Sequence, residues 1–206
     1  MGRVKDILSK LDALYADPKS ELHHRSDFEL LISVILSAQA TDAAVNRVTG
    51  KLFQQYPTAK AMSKAPQASL EAVLRPLGLY KNKARNIKKT CRILQETHGG
   101  DVPRQQTALE ALPGVGRKTA NVVLSAFGIP RIAVDTHVAR VSKRLKLAEW
   151  EDSPRTVEKK LMDALPKSRW TRTHHQMILF GRYRCRSRKP ACGGCPLKPW
   201  CRYPDI

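Results

Sequence analysis

The chain has 206 residues, enough to bury a sizeable core as one large domain or two small ones. Its 37 Lys and Arg against 18 Asp and Glu leave a formal net charge of +19, which favours a polyanion, nucleic acid ahead of an anionic membrane. The longest apolar run, LLISVIL at 30–36, is too short to span a bilayer, and the charged N-terminal MGRVKDILSKLDALYADPKS lacks the apolar core of a signal peptide and has Asp6 where a myristoylation signal takes Ser or Thr.

The reading is therefore a soluble, cytoplasmic protein. Apolar residues recur at spacings of three and four along the chain, and strand alternation does not, so the expected fold class is all-α. Val4, Ile7, Leu8, Leu11, Leu14 and Tyr15 stripe a first helix ended by Asp17-Pro18. Ser26 with Glu29 spells a capping box for the next, Phe28 to Ser37, whose apolar character nearly all round puts it at the centre of its lobe. Thr41 or Asp42 caps a third helix carrying Val45, Val48 and Leu52. Ala84, Ile87, Cys91 and Leu94 stripe a later one, stopped by His98-Gly99-Gly100. Thr107 and Glu110 suggest another capping box, Asp135 an N-cap, and Ser153-Pro154 a cap followed by a first-turn proline.

The stretch ALPGVGRKTANVVLSAF, 111–127, reads as a helix-hairpin-helix. Leu109 and Leu112 end a short helix, Pro113-Gly114-Val115-Gly116 turns the chain, and Ala120, Val122, Val123 and Phe127 stripe the next helix. Glycine there admits positive φ and lets a phosphate reach bare backbone N–H groups at the second helix's N-terminus. An ordinary tight helical hairpin is the plainer alternative. Arg117 and Lys118 fall in the first turn, where the macrodipole disfavours a cation. Lys118 could contact phosphate; the same field would also favour its free amine, a nucleophile that forms Schiff bases with carbonyl-like carbons.

Seventeen residues beyond Lys118 comes Asp135, in IAVDTHVAR. An N-cap explains it, and a carboxylate near an amine nucleophile can also stabilise cationic character as a glycosidic bond breaks. His137 gains interest from lying beside it. In the tail, Cys185, Cys192, Cys195 and Cys201 form C-x6-C-x2-C-x5-C within seventeen residues, while the fifth cysteine, Cys91, reads as a small buried apolar residue. An intracellular protein makes a metal centre the better reading than disulfides. Zinc and a 4Fe-4S cluster both accept four thiolates, and a single C-x-x-C knuckle between longer loops leans toward iron-sulfur. Arg186, Arg188 and Lys189 lie between the first two cysteines, on a loop that the metal centre would hold against a phosphate backbone.

LLISVILSAQATD, LGLYKNKARNI, LPGVGRKTANVVL, VDTHVARV and the four-cysteine tail together resemble the endonuclease III family of DNA glycosylases, in the helix-hairpin-helix superfamily, over nearly the whole chain. The resemblance implies two helical lobes with DNA in the cleft between them. One is a six-helix barrel containing the helix-hairpin-helix, here about 20–131. The other, 1–19 with 132–206, carries a 4Fe-4S cluster on the four cysteines. It implies that Lys118 is the Schiff-base lysine, Asp135 the essential aspartate, and Gln39 and Leu79 the residues that fill the vacated stack or wedge the opposite strand. From the turn alone Leu79 would be core. The implied substrate is duplex DNA with damaged pyrimidines or abasic sites, and the implied reaction is base removal followed by β-elimination. Gly114, Val115, Gly116, Arg117, His137, Arg186, Arg188 and Lys189 are the expected backbone contacts, and a monomer is expected. A monofunctional glycosylase and a non-catalytic, metal-stabilised DNA-binding module are the alternatives. Adenine-removing relatives would lack the lysine and carry a glutamate in the helix that here reads LLISVIL.

Overall fold

The computed structural model describes residues 2–203, and among these residues there is no strand. The chain divides into two compact units, Ser20–Gly128 and a second made of Met1–Lys19 with Ile129–Ile206. The division falls three residues before the boundary expected after residue 131.

The unit Ser20–Gly128 holds seven helices: α2 (Asp27–Leu36), α3 (Asp42–Gln55), α4 (Ala59–Lys64), α5 (Gln67–Leu74), α6 (Tyr80–Thr97), α7 (Gln106–Glu110) and α8 (Arg117–Ala126). Helix α2 is its centre. Eight of its ten residues are buried, as its uninterrupted apolar sequence requires, and it packs against α3, α6 and α8. Ser26 caps it by accepting from the Glu29 N–H at 3.2 Å. The Glu29 carboxylate reaches back to the N–H of Arg25 at 2.7 Å, one residue before the cap, so the expected box closes one position early. Thr41 caps α3. Ala84, Ile87, Cys91 and Leu94 of α6 have no exposed surface, and the helix ends where Gly99 and Gly100 take φ of +62° and +94°. The expected box at Thr107 and Glu110 does not form. Helix α7 starts at Gln106, so Thr107 lies inside it and its own carbonyl accepts from Ala111.

The other unit holds α1 (Gly2–Leu14), α9 (Thr136–Arg144), α10 (Pro154–Ala164) and α11 (Trp170–Tyr183). Its core joins Ile7 and Leu11 to Val138, Val141, Leu161, Met177 and Phe180, with Cys185, Cys195 and Cys201 packed on its edge. Helices α9 and α11 approach so closely that a Cβ on Gly181 would stand 2.8 Å from the His137 Cβ. Asp12 ties α1 to α11 through a two-point ion pair with Arg169 at 2.7 and 3.0 Å and a hydrogen bond from Gln176. The Arg169 contact holds the Asp12 carboxyl below its ordinary range despite partial burial. Ser153 caps α10 with Pro154 in the first turn, as expected. No helix among the described residues is long and apolar enough to cross a membrane.

Candidate functional site

In the unit 20–128, α7 and α8 make the expected helical hairpin. Leu109, Leu112 and Val115 are buried and anchor it, and the Thr90 hydroxyl of α6 donates to the Pro113 carbonyl at 3.0 Å, pinning the turn from behind. Only one of its two glycines is left-handed. Gly114 has φ of +82°, and a Cβ there would meet Asn86 Nδ2 at 3.0 Å and Ile35 Cγ2 at 3.2 Å. Gly116 is extended, φ −94° and ψ 178°, and is the N-cap of α8 with no side-chain hydrogen bond to the first turn. A Cβ on Gly116 would meet nothing within 4 Å, so the fold itself does not demand glycine there. Arg117 and Lys118 follow immediately, both exposed.

Two further candidates of this unit have an unusual backbone. Gln39, in the turn after α2, has φ of +53°, and Leu79, the N-cap of α6, has φ of +57°. Leu79 is 55% exposed, so its reading as core does not hold. A left-handed conformation is uncommon outside glycine, most of all for a bulky apolar residue, and such strain gathers at functional positions. Among the described residues only Lys146 and Lys189 share it outside glycine. Lys189 lies on the loop between the first two tail cysteines.

In the other unit Asp135 is half-buried and caps α9, accepting from the Val138 N–H at 2.8 Å. His137 Nδ1 lies 3.1 Å from Arg140 Nη2. A guanidinium can only donate, so Nδ1 accepts and the neutral ring carries its proton on Nε2. Arg140 also donates to the carbonyls of Gly181 at 2.7 Å and Cys185 at 2.9 Å. Arg144, one turn later and 5% exposed, lies 3.2 Å from Cys185 Sγ and donates to the carbonyls of Arg186 at 2.9 Å and Ser187 at 3.3 Å. Its guanidinium stacks on the Tyr203 ring at 4.0 Å from the centroid. These two arginines hold the tail loop on α9, and sequence reasoning missed both. Their signal was a pair of cations four residues apart on one helix face, which reads as solvated surface.

Cys185, Cys192, Cys195 and Cys201 line one small cavity beneath that loop, and none of them is in a disulfide. No three His, Cys, Asp or Glu side chains among the described residues are placed to hold one bare metal ion. Burial pushes the Cys201 thiol up, and the neighbouring Cys185 and Cys195 add to that shift. A donor set crowded in this way binds as thiolates only when a cationic group offsets their charge. Cys91 is unrelated to it: burial raises its thiol to about 12, leaving an inert apolar side chain. Arg186, Arg188 and Lys189 project from the loop, all exposed.

Residues 32–167 match the family described as HhH-GPD superfamily base excision DNA repair protein. Endonuclease III of Bacillus subtilis (strain 168) is 50% identical over 203 residues, covering 98% of this chain and 93% of that protein. Endonuclease III of Escherichia coli (strain K12) is 49% identical over 201 residues, 97% and 95% of the two chains. The solved structure of a trapped endonuclease III–DNA covalent intermediate, an estranged-adenine complex, superposes with a TM-score of 0.94 at 53% identity, covering 97% of this chain and 94% of that one.

Proposed function

The chain belongs to the endonuclease III family of the HhH-GPD superfamily of base excision DNA repair proteins, and from that membership we propose which of its residues perform the reaction. The protein is a DNA glycosylase and AP lyase of base excision repair. Its substrate is a duplex carrying an oxidised pyrimidine, turned out of the stack at a cost that weak stacking of the damaged base reduces.

Lys118 is the nucleophile. Its neutral amine attacks C1′, the bond from C1′ to the base breaks, and the base leaves with a proton. The opened sugar remains joined to Nζ as an imine, which acidifies the C2′ proton. Loss of that proton expels the 3′ phosphate and cuts the strand. The observation that carries this reading is an exposed lysine in the first turn of α8, directly behind an N-cap glycine that has no capping side chain of its own to cover the helix end. A phosphate docked on those N–H groups brings the sugar to the amine. The covalent DNA complex of a 53% identical relative supports the same chemistry.

Asp135 supplies the carboxylate that stabilises cationic character as the glycosidic bond breaks. Gln39 and Leu79 occupy the space the flipped nucleotide leaves, a role their exposed, left-handed backbone supports. Gly114, Val115, Gly116 and Arg117 form the backbone-docking turn. His137, with its proton on Nε2, donates to phosphate, and Arg186, Arg188 and Lys189 contact it electrostatically. The unit Ser20–Gly128 is the barrel unit of the family, and the other is its iron-sulfur unit.

Cys185, Cys192, Cys195 and Cys201 fit a 4Fe-4S cluster better than zinc. Zinc draws four sulfurs to about 2.3 Å from one point, whereas a cluster takes one thiolate at each of four separate irons. Four thiols that share a cavity without a bare-ion site suit the wider group. When bound, it cross-links the tail, and Arg140 and Arg144 fix the resulting loop to α9.

Borohydride trapping on a duplex with one thymine glycol tests the central assignment. Wild type should give a covalent band and Lys118→Ala none, while both bind the duplex. A band of equal strength from Lys118→Ala would move the nucleophile to another amine.

A further inference from the structure

Helix α6 has two unlike faces. Ala84, Ile87, Cys91 and Leu94 are buried, while Arg85, Lys88, Lys89 and Arg92 point into a groove of about 260 Å³ whose other wall is Ser63 of α4 and Gln67 of α5. Arg85, Lys88 and Lys89 have no acidic partner among the described residues. Arg92 has only an exposed contact to Glu96 at 3.8 Å, and Glu71, the acid nearest in sequence to Gln67, is engaged by the Gln67 amide at 2.8 Å. Like charges at helical spacings of three and four destabilise a helix. Here four of them line one concavity, which concentrates their field on whatever enters it.

We propose that this groove is a second DNA-contacting surface, which binds phosphates of duplex outside the damaged nucleotide. All six lining residues are polar, so the groove lacks the apolar anchor that gives a protein or peptide partner its affinity. The four cations span eight residues of helix, about 10 Å from first to last, and a strand carries one phosphate per ~3.4 Å of duplex axis. One strand can therefore place about three phosphates along them. None of the four takes part in the reaction assigned to Lys118 and Asp135.

The experiment compares three proteins on a long undamaged duplex, measuring log Kd against log salt. They are wild type, Arg85→Gln/Lys88→Gln/Lys89→Gln/Arg92→Gln, and a control with the same charge loss at exposed positions of the other unit, Lys5→Gln/Lys10→Gln/Arg155→Gln/Lys159→Gln. The groove variant should lose up to ~2.7 from the magnitude of the slope, since each of about three phosphate contacts contributes ~0.9, and the control should keep the wild-type slope. Borohydride trapping of the groove variant on a short saturated thymine glycol duplex should match wild type. An unchanged slope overturns the proposal. Equal flattening in the control also overturns it, because net charge then explains the effect. Absence of trapping in wild type would count against the Lys118 assignment alone, since the slopes are read on undamaged DNA.

Discussion

Asp135 joins the cap it forms on α9 to the chemical duty proposed for it, and the two can be separated. Its Oδ1 accepts from the Val138 N–H at 2.8 Å, a bond that an asparagine oxygen makes about as well. Asp135→Asn should therefore leave thermal stability within ~0.5 kcal/mol of wild type, while single-turnover base removal falls by ~10²-fold or more, the scale of losing a preorganised electrostatic group. Asp135→Ala should add a cap loss of ~1 kcal/mol. Matched losses of DNA binding and excision in Asp135→Asn would reduce the residue to a cap. The cap was legible from a single letter before an apolar period. Leu79 was legible only through the family resemblance: an apolar residue in a Gly-Leu-Tyr turn otherwise reads as core, and its 55% exposure and φ of +57° are what remove that reading.

At the level of the hairpin, the two glycines of Pro-Gly-Val-Gly do different work. Gly114 is held left-handed with Asn86 and Ile35 against the position of a Cβ, whereas Gly116 is extended with open space around it. Gly114→Ala should cost ~1–3 kcal/mol of stability, a fall of roughly 2–10 °C in Tm for a chain of this size. Gly116→Ala should leave Tm within about 2 °C and weaken DNA binding, because the added methyl meets the approaching phosphate and not the protein. Thermal unfolding and duplex Kd of the two variants check this pair. The opposite pattern would make Gly116 the structural glycine. Spacing revealed that the chain turns here; which glycine needs positive φ depended on α2 and α6 packing behind it.

Over the whole molecule, the proposed cluster and the arginines of α9 act on one loop. Arg144 donates to the carbonyls of Arg186 and Ser187, so the exposed cations of that loop are presented only as firmly as its two anchors are. Arg186→Gln/Arg188→Gln/Lys189→Gln should weaken duplex binding and take up to ~2.7 from the salt slope. Wild-type protein should be yellow-brown and contain iron, and stripping the iron should flatten the slope by a similar amount. Colourless, zinc-loaded protein would restore the zinc reading, and an unchanged slope in the triple variant would remove the loop from the interface.

The amino-acid sequence by itself determined the helical class, the caps of α2, α3, α9 and α10, the hairpin and the four-thiol tail, while α4, α5 and α11 went unread. These rest on local periodicity, capping chemistry and cysteine spacing, and need no distant partner to be read. Tertiary structure alone decided what similar letters do. Lys81 and Lys83 sit two residues apart on α6, yet Lys81 is exposed while Lys83 is 4% exposed, with its Nζ lacking a hydrogen-bond partner and its pKa lowered by burial. Arg140 and Arg144 likewise became loop anchors only where the tail folds back onto α9. Burial and long-range hydrogen bonding depend on residues tens of positions away, and a window of helical period does not contain them.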